Sequence, residues 1–553
     1  MAELSPLEKS FHQATETDNI TKLKEIINKI VNSQDNQGRM PLQKTSNQEI
    51  IKYLVKIGAN VNVQNIDGRT ALHDADQVEV VKCLIENGAN VHIKDKFGNT
   101  LLHETPEIEI AKYLLENGAM INLGNIKALT PLHFAAIDGD TEMIQLLVDK
   151  GALIDIKDED HNTPLHSAVE QNKLGSVKCL VENGAIVNAG NKEYETPLHI
   201  AAKKGANEIL EFLIKHGASI NIKNKQQETA LHFAVAEKKL EAMKCLLKHG
   251  AMINARNKNR QTPLHYAAGN DSPEFINFLI QNGASIDLKD KDHNTPLHHA
   301  VIQKDLDSVT CLVENGAIIN LGNSKVKTPL HYAAEDDQTE MIQLLIENGA
   351  SIDAKDEDHE TPLHLAGTKE NVKFLIENGA SIDVKNQKQD TPLHIATLNG
   401  AKDIVEILIE NGASTDIKNL DQETALHIAV TENQLEIVKC LVEKGALVNA
   451  RNKDNFTPHF LAAKLNFNDI VEYLTKMKKR KAESEPGEII NSKDPCIMCF
   501  EPRNGWYVLM PCGHTSLCES CCIKITCKED HAKCPTCRKP INSYNQIFFQ
   551  KPE

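Results

Sequence analysis

No apolar run in this sequence approaches the roughly 18 residues that a membrane-crossing helix needs. The N-terminal stretch Met1-Ala2-Glu3-Leu4-Ser5-Pro6-Leu7-Glu8-Lys9 lacks a basic end followed by an apolar core, so no secretory signal is expected. The expected setting is therefore a reducing one, the cytoplasm or the nucleus. Catalytic signatures are missing too. No Gly-rich phosphate loop, Ser-His-Asp arrangement or paired-carboxylate site stands out. Positive charge is in deficit: 61 Lys and Arg stand against 77 Asp and Glu, a net charge of −16. The imbalance lies before Glu488, because beyond it the two signs nearly cancel. Such a surface matches phosphate backbones poorly, which argues against nucleic acid and for basic or neutral protein partners. Scattered carboxylates read as solvated faces.

What the chain has in abundance is repetition. The phrase Thr-Pro-Leu-His, or a near variant, starts at Met40, Thr70, Thr100, Thr130, Thr163, Thr196, Thr229, Thr262, Thr295, Thr328, Thr361, Thr391, Thr424 and Thr457. Nine of the thirteen intervals are 33 residues and four are 30. A Gly-Ala pair recurs between the phrases, from Gly58-Ala59 to Gly445-Ala446. Period, phrase and Gly-Ala together resemble the ankyrin repeat over about residues 4–478. The resemblance implies an all-α ankyrin solenoid of about fourteen repeats. Residues 1–38 are expected to form an N-terminal helical cap, and residues 39–478 the array.

Local chemistry explains the phrase. Thr130 suits a helix N-cap, and Pro131 suits the first helical position, where its missing N–H costs nothing. Leu132, Ala135 and Ala136 give a stripe of small and apolar residues. A second helix is expected from about Thr141, with Met143, Ile144, Leu147 and Val148 on one side. Gly151 suits a left-handed C-cap, and Ala152 to Lys157 an extended finger. No single hairpin can bury both faces, so stability must come from stacking.

Twelve of the 23 histidines occupy the fourth place of the phrase, from His73 to His427. They recur with the backbone, so a structural role across neighbouring turns is expected, not catalysis or metal binding. Cys83, Cys179, Cys245, Cys311 and Cys440 share one helical register and read as core. The intervals starting at Met40, Thr70, Thr100 and Thr361 lose three residues between the first helix and the Gly-Ala, nearly one helical turn. Among the thirteen phrases from Thr70 on, the finger-turn glycine survives only at Gly68 and Gly98, so altered or strained turns are expected elsewhere. Thr141 to Leu147 returns as Thr339 to Leu345, and Asp158-Glu-Asp-His161 as Asp356-Glu-Asp-His359. That offset of six repeats points to block duplication and to an elongated or repetitive ligand, or to expansion alone. Thr457-Pro458-His459-Phe460 opens an expected C-terminal cap.

The segment from Cys496 to Cys537 is of another kind. It reads Cys496-x2-Cys499, then Cys512-x-His514-x3-Cys518-x2-Cys521, then Cys534-x2-Cys537. Seven thiols and one imidazole suit two tetrahedral zinc ions. A segment this small buries little core and needs a staple, and a reducing compartment disfavours disulfides. Cys522 and Cys527 are left over and read as small, partly buried thiols.

Histidine fourth of eight, Pro511-Cys512-Gly513-His514 and Cys534-Pro535-Thr536-Cys537-Arg538 resemble a RING finger. They are similar to the RINGs of inhibitor-of-apoptosis and mind-bomb-type ubiquitin ligases. The resemblance implies a small α+β cross-brace fold over residues 495–553. In it Cys496, Cys499, Cys518 and Cys521 hold one zinc, and Cys512, His514, Cys534 and Cys537 the other. It also implies a shallow apolar groove for a ubiquitin-conjugating enzyme at Met498, Ile525 and Pro535. Arg538 matches the cation that clamps ubiquitin, and no nucleophile is expected. Ile525 stands where many family members have Trp or Leu. The alternating tail Ile541 to Phe549 reads as a strand, and in the similar RINGs such a strand supports homodimers.

A linker is expected over residues 479–494. The basic run Lys478-Lys479-Arg480-Lys481 suits either the negative end of a helix dipole or nuclear import. The functional expectation is a RING-type ubiquitin ligase whose array binds the substrate protein. The alternative is a scaffold whose zinc module is structural or dimerising.

Overall fold

The computed structural model describes residues 31, 33–484, 507–509 and 548–550. Most of the expected N-terminal cap therefore lies outside the described residues, as do the eight expected zinc ligands. The chain divides after Ala317 into two compact units, each described by itself.

Both units are built from helical hairpins. In one full-length repeat the first helix is Pro131–Asp138 and the second Thr141–Asp149. Thr130 is the N-cap, with extended backbone, and Pro131 follows at the first position. Leu132 and Ala136 are buried, as are Met143, Ile144 and Leu147. Gly151 takes φ 91°, as a left-handed C-cap requires. In the short repeats the first helix is cut to one turn, Leu101–Glu104 and Pro362–Leu365. The chain then turns extended at Thr105 and Ala366. The three missing residues are thus the helix's second turn.

Each phrase but the last forms a reciprocal capping box with an extra arm. In all twelve Thr-x-x-His phrases the Thr N–H donates to histidine Nδ1 at 3.0–3.2 Å. Nδ1 is then an acceptor, so the ring proton sits on Nε2. From there it reaches a backbone carbonyl in the following finger. His133 donates to Asn162 O at 3.1 Å, His166 to Glu195 O at 3.1 Å and His427 to Phe456 O at 3.2 Å. The degenerate phrase keeps the device without histidine. The Met40 N–H donates to Gln43 Oε1 at 3.0 Å, and Gln43 Nε2 donates to Arg69 O at 2.8 Å. At the other end Thr457 accepts from the Phe460 N–H at 3.3 Å, and Phe460 stacks on Phe456 instead.

The fingers hold a second finding. All eleven finger-turn positions without glycine, from Ala128 to Asn455, still take φ between 57° and 65°. The turn geometry is kept and the residue is changed. What holds it is an Asn or Asp five residues before every Thr. Asn125 Oδ1 accepts from Lys127 and Leu129 N–H at 2.9 and 3.0 Å, and Asp356 Oδ1 accepts from Asp358 and Glu360 at 3.0 and 2.8 Å. This Asx device offsets the cost of left-handed backbone. Neighbouring fingers are joined by backbone bonds such as Glu159 N–H to Lys127 O at 3.0 Å.

The five register cysteines are free. Four are buried, but Cys179 is only half-buried and departs from the core expectation. The last array helix runs Asn468–Ser484, so residues 479–484 are helical and the basic run 478–481 lies within a helix. Beyond it, β1 (Tyr507–Leu509) pairs antiparallel with β2 (Phe548–Gln550), with Val508 opposite Phe549. The tail strand thus pairs within its own chain. Among the described residues no helix is long and apolar enough to cross a membrane.

Val326 is the β-branched member of the left-handed series, at φ 60°. Val326→Gly is expected to stabilise the fold by up to about 1 kcal/mol, the cost of a left-handed β-branched residue less the greater freedom of glycine in the unfolded chain. Gly68→Ala should do the opposite, since its Cβ would meet Lys96 N at 2.7 Å. Urea and thermal melting by circular dichroism check both; equal midpoints for the Val326 variant and the parent would refute the strain assignment.

Candidate functional site

Three sets of residues could carry chemistry: the periodic histidines, the finger surfaces and the Cys/His series. The histidines are accounted for by packing. His133, His166, His265 and His427 are buried, with both ring nitrogens engaged as described. Burial holds these rings below the ordinary histidine range, to about 4 for His166, His232, His265 and His427. A ring kept neutral, with no free nitrogen, offers neither a proton shuttle nor a metal ligand. Among the described residues no group of three or more His, Cys, Asp or Glu is placed to hold a metal ion. The array cysteines are not activated either: burial raises the Cys83, Cys179, Cys245, Cys311 and Cys440 thiols.

The fingers offer surface instead. Ile66, Phe97, Ile126 and Tyr194 are more than half exposed at the tips. In the first unit a groove of about 380 Å³ opens between the tips and the first helices of three repeats. Leu129, Ile137 and Ile200 line it together with five carboxylates and two lysines. The arrangement offers charge and apolar surface for binding. Sequence reading missed this groove, although the Asp158-Glu-Asp-His161 echo marks its most acidic wall.

The zinc ligands Cys496, Cys499, Cys512, His514, Cys518, Cys521, Cys534 and Cys537 lie outside the described residues. So do Met498, Ile525, Pro535 and Arg538. The described β1 falls between the second and third of those ligands, and β2 follows the last, so the strands bracket most of the series in sequence.

Comparison with known families settles the architecture. The model of ankyrin repeats in three copies matches ten overlapping segments between residues 11 and 485. The chain is an ankyrin-repeat protein. The C3HC4-type RING zinc finger model matches residues 492–544, which contain all eight expected ligands. This ankyrin–RING protein therefore carries a zinc-binding module at its C-terminal end, and the donor set of seven thiols and one imidazole fits zinc. It is similar to the mitochondrial E3 ubiquitin protein ligase 1 of Drosophila melanogaster, 36% identical over 76 residues, 14% of this chain and 20% of the relative. It is also similar to the mouse (Mus musculus) E3 ubiquitin-protein ligase NEURL3, 35% identical over 74 residues, 13% of this chain and 28% of the relative. The human (Homo sapiens) cell growth regulator with RING finger domain protein 1 is 36% identical over 80 residues, 14% of this chain and 21% of the relative. The ankyrin–RING protein thus spans less than a third of the length of these relatives.

Neutral histidines make the array acid-labile. An unfolded histidine takes up its proton near 6.5, whereas the folded ones at His166, His232, His265 and His427 do so near 4. Between those values the unfolded chain binds more protons. Stability is therefore present above about pH 6.5 and is lost as pH falls towards 4. The melting temperature should drop steeply across that window. His166→Gln, which copies Gln43, should keep both hydrogen bonds and flatten the slope, whereas His166→Ala should melt lower at every pH. A melting temperature independent of pH between 7 and 5 would refute the assignment of neutral rings.

Proposed function

We propose that the ankyrin–RING protein is a ubiquitin ligase in which the array binds a substrate protein and the RING recruits a ubiquitin-charged conjugating enzyme. The observation that carries this reading is the complete eight-donor series inside the matched RING segment, joined to an ankyrin array. The ligase names of two relatives support it. On this reading Cys496, Cys499, Cys518 and Cys521 hold one zinc ion, and Cys512, His514, Cys534 and Cys537 a second. The two ions replace the core that so short a segment cannot build. Met498, Ile525 and Pro535 form the apolar contact for the conjugating enzyme. Arg538 holds ubiquitin against that enzyme, so that its thioester carbonyl is presented to a substrate lysine. The lysine amine attacks, the enzyme's thiolate leaves, and no intermediate forms on this chain.

Self-association through the RING and tail belongs to the same proposal. A dimer would have to extend or exchange the within-chain pairing of β2 with β1. A reducing compartment, cytoplasmic or nuclear, is proposed as the setting.

The test is autoubiquitination by the purified chain against a panel of conjugating enzymes. A ubiquitin ladder is expected from the parent and should be lost in Met498→Ala and Arg538→Ala. Elemental analysis should find two zinc ions per chain. Chelation should abolish the ladder while the helical circular dichroism of the array persists. A folded, zinc-loaded chain that stays silent with every enzyme would refute the ligase reading and leave a scaffold.

A further inference from the structure

The groove in the first unit has a mixed character that narrows what it can hold. Its apolar lining is Leu129, Ile137 and Ile200. Around that lining stand Asp158, Glu159, Asp160, Glu170 and Glu195, against Lys127 and Lys203. Part of this charge is already answered. Glu170 is paired with Lys204, and Asp158 accepts from the Asp160 and Asn162 N–H groups at 2.9 and 2.7 Å. Lys192 reaches Asp160 only at 4.0 Å. Glu159 and Glu195 have no cationic partner among the described residues. One of the two lysines is drawn aside, with Lys203 Nζ 6.0 Å from the Phe233 ring centroid. An occupant must therefore bring positive charge and a slim apolar stem together.

Arginine and lysine side chains have that form: alkyl stems that cover apolar surface and cationic heads that stay polar. A carboxylate-bearing or phosphate-bearing ligand would meet the same five carboxylates and be repelled. The second unit repeats the acidic wall. Asp356, Glu357 and Asp358 recur at the offset of six repeats, with Glu357 and Asp358 exposed. The apolar lining is not repeated with it, since Glu335 stands at the place of Ile137.

We infer that the ankyrin array captures an extended Arg- and Lys-rich segment of its partner protein in the groove of the first unit. The inference rests on the receptor role proposed above and names the chemistry of the substrate.

The experiment is fluorescence anisotropy and titration calorimetry on the full chain with a short labelled oligo-arginine peptide, and oligo-glutamate as counterpart. Saturable binding of one oligo-arginine peptide per chain is expected, weakening as salt rises. Oligo-glutamate should not bind. The triple variant Glu159→Gln, Asp160→Asn, Glu195→Gln should weaken binding about tenfold, whereas Glu357→Gln, Asp358→Asn, Glu360→Gln, which removes the same charge outside the groove, should leave it unchanged. Unchanged melting curves would confirm that both variants fold. Lack of saturable binding, or binding weakened equally by both variants or untouched by the first, would overturn the inference and make any attraction a property of net charge. Autoubiquitination measured on the same samples separates the two readings. A ladder that persists while peptide binding fails leaves the ligase standing without this substrate class.

Discussion

The array depends on one hydrogen-bond relay. A threonine N–H, a neutral imidazole and a carbonyl in the next finger form a line that recurs through each unit. At Thr163 it runs from the backbone N–H to His166 Nδ1 at 3.1 Å, and from Nε2 to Glu195 O at 3.1 Å. The first bond starts a helix and the second docks the next repeat onto it. Helix initiation and repeat stacking are thereby one event, which is what a quasi-linear fold with no long-range core needs. Gln43 shows that the geometry matters more than the residue, since an amide can accept and donate in the same places. Phe460 shows the converse. There the imidazole gives way to a ring stack on Phe456, and no further finger lies among the described residues.

The first and last positions of each helical pair were legible in the sequence because they are local. Thr130, Pro131 and Gly151 each declare a backbone state through their own chemistry. The fingers were harder. Loss of glycine at eleven turns suggested altered or strained geometry, yet every one keeps positive φ. The compensating signal was present in the sequence: an Asn or Asp stands five residues before the start of each phrase, from Asp35 before Met40 to Asn452 before Thr457. It was missed because Asx chemistry acts two and four residues onward, on backbone N–H groups that a reading of side-chain types does not see. Cys179 was misjudged for a related reason. Its register matches the buried Cys311, but register alone does not tell how far a neighbouring repeat covers it.

The two parts of the chain reveal function to different degrees. In a small zinc-stapled segment a metal takes the place of a core, so the ligands must appear as thiols and imidazoles at short, fixed spacings. Residue type and spacing are then nearly the whole specification, and a family match over residues 492–544 agrees with it. In the array the same period that builds the scaffold hides the binding surface. The buried places hardly vary, since Leu132, Leu165, Leu198 and Leu231 all sit in one layer. The exposed finger places vary freely because they bear no load.

That freedom is where recognition can reside. The tips run from Phe97 and Ile126 to Asp160 and Tyr194 within four successive repeats, while the backbone beneath them keeps one geometry. A finger can therefore change charge or apolarity without disturbing the relay below it. Duplication of Asp158-Glu-Asp-His161 as Asp356-Glu-Asp-His359 is more telling in that setting. The duplicated block did not keep everything around the acidic wall: Ile137 corresponds to Glu335, and the repeat opened by Thr361 has lost a helical turn. The acidic finger persists without the apolar lining beside it, so of the two places the first unit's groove joins carboxylates to the apolar surface that an arginine or lysine stem needs.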